Sequence, residues 1–214
     1  MRYLPILVDL AGRPCLVVGG GAVAARKAAT LLDAGARVRV VAPSVSREME
    51  EVAARPDVTV ERRAYRREDL TGVALAFAAT DDAELQERIA RDARDASVWL
   101  NAVDEPERCS FVMPAILDRD PLVVAVGTGG ASPALARRIR DDIGQLLGPE
   151  YDAALAHLAL LRTRYVPGPA RQAAFNRLVD GGLLEALRAR DGARVEALTR
   201  EACSGLDAVA QEAP

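Results

Sequence analysis

Gly19-Gly20-Gly21-Ala22-Val23-Ala24 is the densest chemical signal in the 214-residue sequence. It fits G-x-G-x-x-A, follows the apolar run Cys15-Leu16-Val17-Val18 and opens a helical pattern. In that setting Gly19 makes the tight turn, Gly21 lets the backbone approach a pyrophosphate, and Ala24 permits close helix–sheet packing, with phosphates at the helix N-terminus. A glycine-rich turn without a ligand is the alternative; the strand–glycine–helix context favours a dinucleotide. One expected element is missing. After the second strand the chain reads Val41-Ala42-Pro43-Ser44, with no acid for the adenosine ribose. The Ser44 hydroxyl and backbone groups are left for that task, and the choice between NAD and NADP stays open.

Three further stretches carry chemistry. Thr80, in Ala79-Thr80-Asp81-Asp82, follows an apolar strand at the carboxyl edge and reads as a cofactor contact, a helix cap or both. Asp104, in Asn101-Ala102-Val103-Asp104, lies at the same edge, where a carboxylate can act as a general base beside a nicotinamide. Spacing alone favours a solvated loop aspartate there. Gly127-Thr128-Gly129-Gly130-Ala131-Ser132-Pro133 leaves backbone N–H groups at a helix start, a nest for carboxylate or phosphate with Thr128 as hydroxyl donor. A tight turn in a hairpin or dimer contact accounts for it equally well. Arg108, Arg137, Arg138 and Arg140 could meet an acidic substrate, but each reads first as a solvated side chain. Arg62, Arg63, Arg66 and Arg67 read as a surface stretch and His157 as a helix-surface residue. Cys109 has no neighbouring base to make it a nucleophile.

The elements that must position these residues alternate. Strands are expected at Leu16–Val18, Arg37–Val41, Val58–Glu61, Val73–Ala78 and Val98–Leu100. Helices are expected from Ala22 to Ala34 with Gly35 as C-terminal cap, after Ser46 and before Pro56, and from Asp82 to Arg94, with Asp81 and Glu84 spaced as a helix start. Nearly uncharged strands mean a parallel sheet covered on both faces, a doubly wound α/β fold. Beyond Met113 come a strand at Leu122–Val126 and a helix capped by Ser132-Pro133, with Leu135, Ile139, Ile143 and Leu146 on one face. From Glu150 the periodicity is helical throughout, and the last few residues are expected to fray.

Composition narrows the classes. Lys+Arg 28 against Asp+Glu 31 gives a net charge of -3, which excludes a nucleic-acid footprint spread over the chain. No apolar run approaches the ~20 residues of a membrane span. Cys15, Cys109 and Cys203 are isolated and form no CxxC pair, as expected of reduced thiols in a cytoplasmic protein. With His157 the single histidine, no resident metal site is expected.

The stretches Leu4–Leu10, Val17–Lys27, Ala78–Asp82, Asn101–Asp104, Ser110–Ala115, Asp118-Arg119 and Thr128–Arg137 together resemble precorrin-2 dehydrogenase, the dehydrogenase/ferrochelatase part of siroheme synthase. The likeness runs in order over Leu4 to Leu147. It implies a homodimer of three parts: a Rossmann-like NAD-binding domain (1–113), a small α+β dimerisation segment (114–149) and a helical C-terminal domain (150–214). It implies NAD-dependent oxidation of precorrin-2 to sirohydrochlorin, with ferrous iron insertion to siroheme in bifunctional members. The family's essential aspartate falls on Asp104. Cofactor contacts fall on Gly21, Ala22, Val23, Pro43, Ser44 and Thr80, beside the fingerprint's Gly19. The glycine loop's hydroxyl, often serine, falls on Thr128. Substrate carboxylates would be held by Thr128, Gly129, Gly130, Ser132 and Arg137. The fused enzymes' methyltransferase domain is not in this sequence, so methylation is expected of another protein. A regulatory NAD(H)-binding module and an NAD-independent sirohydrochlorin chelatase are the competing readings.

Overall fold

The computed structural model describes residues 3–209, so the fraying expected of the last residues lies outside it. The chain divides between Met113 and Pro114 into two compact units.

The first unit is a five-stranded, all-parallel sheet in the order β3-β2-β1-β4-β5, formed by β1 (Pro14–Val18), β2 (Arg37–Val41), β3 (Val58–Glu61), β4 (Leu75–Ala78) and β5 (Trp99–Ala102). α1 (Ala22–Asp33), α2 (Arg47–Ala53) and α3 (Ala83–Asp95) connect the strands. Period-two alternation in β1 divides the core. Cys15 and Val17 face α1 and α2 with Phe77, whereas Leu16 and Val18 face α3 with Ile89 and Ala93. Both faces are therefore covered, and the sheet is doubly wound as expected. Because β4 lies on the other side of β1 from β2, the strand order reverses between β1 and β4, where ligands bind in such sheets.

Local signals explain the boundaries. Gly35 follows α1 in the left-handed region (φ 78°), and the Ser46 side chain accepts from Met49 N–H at 3.3 Å to cap α2. Three details differ from the sequence reading. α3 is capped by Asp82, which accepts from Leu85 N–H at 3.0 Å, and not by Asp81. β4 begins at Leu75, two residues late, and β5 extends to Ala102, so Asn101 lies inside the strand. Arg63 is not part of a free basic face: it donates to Asp69 at 2.6 and 2.8 Å and pairs with Glu61.

In the second unit β6 (Ala115–Arg119), not foreseen as a strand, pairs antiparallel with β7 (Leu122–Val126), and α4 (Pro133–Leu146) packs on this hairpin. Four helices follow: α5 (Pro149–Arg164), α6 (Pro169–Asp180), α7 (Leu183–Arg188) and α8 (Gly192–Ala202). They enclose a core of Leu161, Leu178, Leu183, Val195 and Leu198. Arg119 ties the hairpin to the start of α5 through Asp152 and the Gly148 carbonyl. His157 is half-buried rather than on the surface; its Nε2 lies 2.9 Å from Thr199 Oγ1 on α8, and burial lowers its pKa.

Candidate functional site

A cavity of about 1000 Å³ opens at the carboxyl edge of β1, β2 and β4. Gly19, Gly21, Ala22, Val23, Pro43, Ser44 and Thr80 all line it. Backbone geometry explains the glycines. Gly19 sits at φ 131°, and a Cβ there would run into the Ala79 carbonyl at the end of β4. Gly20, the variable position of the fingerprint, is equally constrained: a Cβ would strike the Ser44 carbonyl. Its own carbonyl accepts from Ser46 N–H at 2.7 Å, binding the β1–α1 turn to the β2–α2 turn. Gly21 is different, because a Cβ there meets nothing within 4 Å and faces open space.

Gly21 is also the N-cap of α1, and it provides no side-chain cap. The first-turn N–H groups of α1 are thus left for a ligand, and no acidic residue in that turn competes with an anion. These features fit the pyrophosphate of a dinucleotide. Thr80 lines the cavity, and its Oγ1 accepts from Asp82 N–H at 3.3 Å in the turn ahead of α3, whose cap is Asp82 and not Thr80. Gln86 was missed. It is 8% exposed, and its Nε2 donates to the Thr80 carbonyl at 2.7 Å, fixing the β4–α3 turn; its Oε1 is buried without a partner. The signal was available, because Gln86 shares the buried face of α3 with Ile89, Ala90 and Ala93.

Asp104 does not line this cavity. It is exposed on the turn after β5, the strand beside β4, with φ 63°. The turn is held on both sides. Val103 N–H donates to the Ala78 carbonyl at 2.9 Å, and the Cys109 thiol lies 3.2 Å from Ala102 N and 3.1 Å from its carbonyl oxygen. Asn101 donates to the Phe111 carbonyl at 3.0 Å, and Ser110 Oγ accepts from Leu100 N–H at 2.6 Å. Asn101 and Cys109 to Phe111 thus act as a clamp on the Asp104 turn. Burial pushes the Cys109 thiol up, against backbone hydrogen bonding, so it is a poor nucleophile.

Thr128, Gly129, Gly130, Ser132 and Arg137 belong to the second unit. Both hydroxyls are engaged locally: Thr128 Oγ1 accepts from Ser132 N–H at 3.2 Å and donates to the Ser132 carbonyl at 3.1 Å, and Ser132 Oγ caps α4 through Leu135 N–H at 3.1 Å. The loop therefore offers the Gly129 and Gly130 N–H groups, with Arg137 exposed on α4. Among the described residues no group of three or more His, Cys, Asp or Glu could hold a metal ion, and no helix is long and apolar enough to cross a membrane.

Known proteins extend this geometry. A family model for NAD(P)-binding, NAD_binding_7, matches residues 6–115, and one described as sirohaem biosynthesis protein central matches residues 119–146. The siroheme synthase of Ectopseudomonas mendocina is 51% identical over 143 residues, which are 67% of this chain and 30% of that protein. The siroheme synthase of Stutzerimonas stutzeri is 40% identical over 214 residues, 96% of this chain and 45% of that protein. The chain thus spans less than half the length of these curated relatives. A solved structure, SirC, precorrin-2 dehydrogenase, superposes with a TM-score of 0.70 at 26% identity, covering 94% of this chain and 98% of that one. With its glycine turn, reversed strand order and uncapped α1 N-terminus inside the matched region, the chain belongs to the NAD(P)-binding family NAD_binding_7.

Proposed function

We propose that this chain catalyses the NAD-dependent oxidation of precorrin-2 to sirohydrochlorin in siroheme biosynthesis. The observation that carries the reading is one dinucleotide cradle within a fold that follows SirC over 94% of the chain. Gly19, Gly21, Ala22 and Val23 would hold the pyrophosphate through backbone N–H groups. Pro43 and Ser44 would contact the adenosine ribose, and Thr80 the stretch towards the nicotinamide. Bound NAD supplies the hydride acceptor.

The remaining chemistry belongs to the chain's own residues. When a C–H hydride leaves the reduced macrocycle, a proton must also leave, and the exposed Asp104 carboxylate takes it. The rigid turn after β5 suits that role by holding the base in one place. Thr128 and Ser132 shape the loop whose Gly129 and Gly130 N–H groups, with Arg137, receive substrate carboxylates. In iron insertion, Asp104 would accept pyrrole protons as ferrous iron, a second substrate, enters the ring.

The working form is a cytoplasmic homodimer of three parts, 1–113, 114–149 and 150–214. The central segment supports this reading. One face of the β6–β7 hairpin packs on α4, while Ile116 and Val123 stay exposed on the other, and Leu135 and Leu146 on α4 are 52% and 77% exposed. A two-stranded sheet with apolar residues in water is marginal alone and gains by pairing with a copy of itself.

The test is an anaerobic absorbance time course with enzymatically generated precorrin-2, with and without NAD, adding ferrous iron after oxidation stops. NAD-dependent formation of sirohydrochlorin is expected, and an iron-dependent change above the enzyme-free rate adds chelatase activity. A folded, NAD-binding protein without oxidation would leave a regulatory module. Iron insertion into sirohydrochlorin indifferent to NAD, again without oxidation, would leave a chelatase.

A further inference from the structure

Lys27 is the only lysine among the 28 basic residues of the chain. It lies on α1 between Ala24 and Ala28, both fully buried, and is itself half-buried. Other half-buried cations are satisfied by the protein itself: Arg63 reaches Asp69 at 2.6 Å, Arg108 reaches Glu87 at 3.0 Å, and Arg171 donates to the Arg162 and Tyr165 carbonyls at 3.0 and 2.9 Å. Lys27 is not. Its Nζ lies 5.3 Å from the centroid of the Phe77 ring on β4, and among the described residues no carboxylate stands within ion-pair distance. The ring braces the aliphatic stem without neutralising the charge.

Burial and three titratable groups define this ammonium. Burial lowers its pKa most, Arg26 lowers it further, and Asp104 and Cys109 pull it back up. Asp104 thus acts on this ammonium without pairing with it, and the Phe77 ring that braces Lys27 packs at 5.5 Å against Phe111, a residue of the clamp on the Asp104 turn. A half-buried cation without an anion is unfavourable in the free protein and becomes favourable when a ligand brings one. Arginine would present a planar fork, whereas lysine presents a compact point charge with three rotatable donors, suited to one carboxylate on a bulky ligand.

We propose that Lys27 binds a carboxylate of the tetrapyrrole and so seats the ring beside Asp104. The inference rests on the substrate proposed above. It gives the first unit its own substrate contact, independent of the glycine loop in the second.

The uniqueness of Lys27 makes the test direct. The full-length protein is acylated with trace acetic anhydride near neutral pH, and the Lys27 peptide is quantified by mass spectrometry with the α-amino group as reference. Saturating sirohydrochlorin, with binding followed by fluorescence quenching, is expected to slow Lys27 acylation about tenfold, while NAD alone leaves the rate unchanged. In parallel, Lys27→Met is expected to raise the KM for precorrin-2 by roughly tenfold, the size of one charge-assisted hydrogen bond, with an unchanged NAD dissociation constant. Lys27→Arg should recover part of that loss. An acylation rate unmoved by bound sirohydrochlorin, or a Lys27→Met protein with wild-type KM, overturns the role of Lys27 while leaving the dehydrogenase reading intact. Wild-type protein that binds NAD but not sirohydrochlorin overturns both.

Discussion

The two neighbouring glycines of the cradle make opposite predictions. In Gly20→Ala the new methyl carbon falls on the Ser44 carbonyl, with Ser44 C and Val45 Cα both at 3.0 Å. Ordinary contact lies at about 3.5–4.0 Å, so the β2–α2 turn must back away. That retreat pulls on the 2.7 Å hydrogen bond from Ser46 N–H to the Gly20 carbonyl, and Ser46 is also the cap of α2. Overpacking of this kind costs about 1–3 kcal/mol and a strained hydrogen bond about 1 kcal/mol, so ~2–4 kcal/mol is expected. For a chain of this length that lowers Tm by roughly 5–15 °C. NADH affinity should fall with it, because the two turns form the cavity mouth. In Gly21→Ala the methyl meets no protein atom within 4 Å and φ is -80°, so the fold accepts it. Tm should stay within about 1 °C, while NADH binding weakens by about tenfold or more as the methyl occupies the space where the pyrophosphate approaches. Thermal melts and NADH fluorescence titrations on the two variants decide the matter. A Gly20→Ala protein that melts like wild type would refute the contact between the turns. A Gly21→Ala protein that binds NADH normally would refute the placement of the pyrophosphate.

Asp104→Asn keeps the turn and removes the base, so NADH affinity should hold while precorrin-2 oxidation falls by about 10²–10⁴; unchanged turnover would remove Asp104 from the mechanism. Burial raises the Asp69 carboxyl, but hydrogen bonds from Arg63 and Arg66 outweigh it and hold the pKa below its ordinary value. The unfolded chain then binds the proton more readily, so this stabilisation is present above the unfolded pKa of about 4 and is lost as pH falls through the folded value. Urea unfolding at several pH values should show a shallower acid loss for Asp69→Asn than for wild type. Ile116→Glu, on the open face of the hairpin, should convert a dimer to a monomer in sizing experiments without lowering NADH affinity, and a wild-type protein that already runs as a monomer would defeat the paired-hairpin reading.

What could be read from sequence follows from how local its cause is. β1, α1, β2 and α2 stand where expected because an uncharged run, a glycine turn, a β-branched run and a Ser46 cap each act over a few residues. β6 escaped because Asp118 and Arg119 break the alternation that marks a half-buried strand, and its identity comes from pairing with β7. The cavity-lining Gly19 and Gly21 were legible through the fingerprint, which is a local motif, and Ser44 through its place directly after β2. Gly20 was not, since its constraint comes from Ser44, far along the chain and adjacent only in space. Gln86 and Lys27 were legible in principle, as polar residues on the buried stripes of α3 and α1, but a stripe reports burial and not what the polar atom meets there. The same limit explains α4. Its period placed Leu135, Ile139, Ile143 and Leu146 on one face, yet only Ala136 of that helix is buried in the single chain. Periodicity encodes that a face must be covered and is silent on whether the cover comes from the same chain.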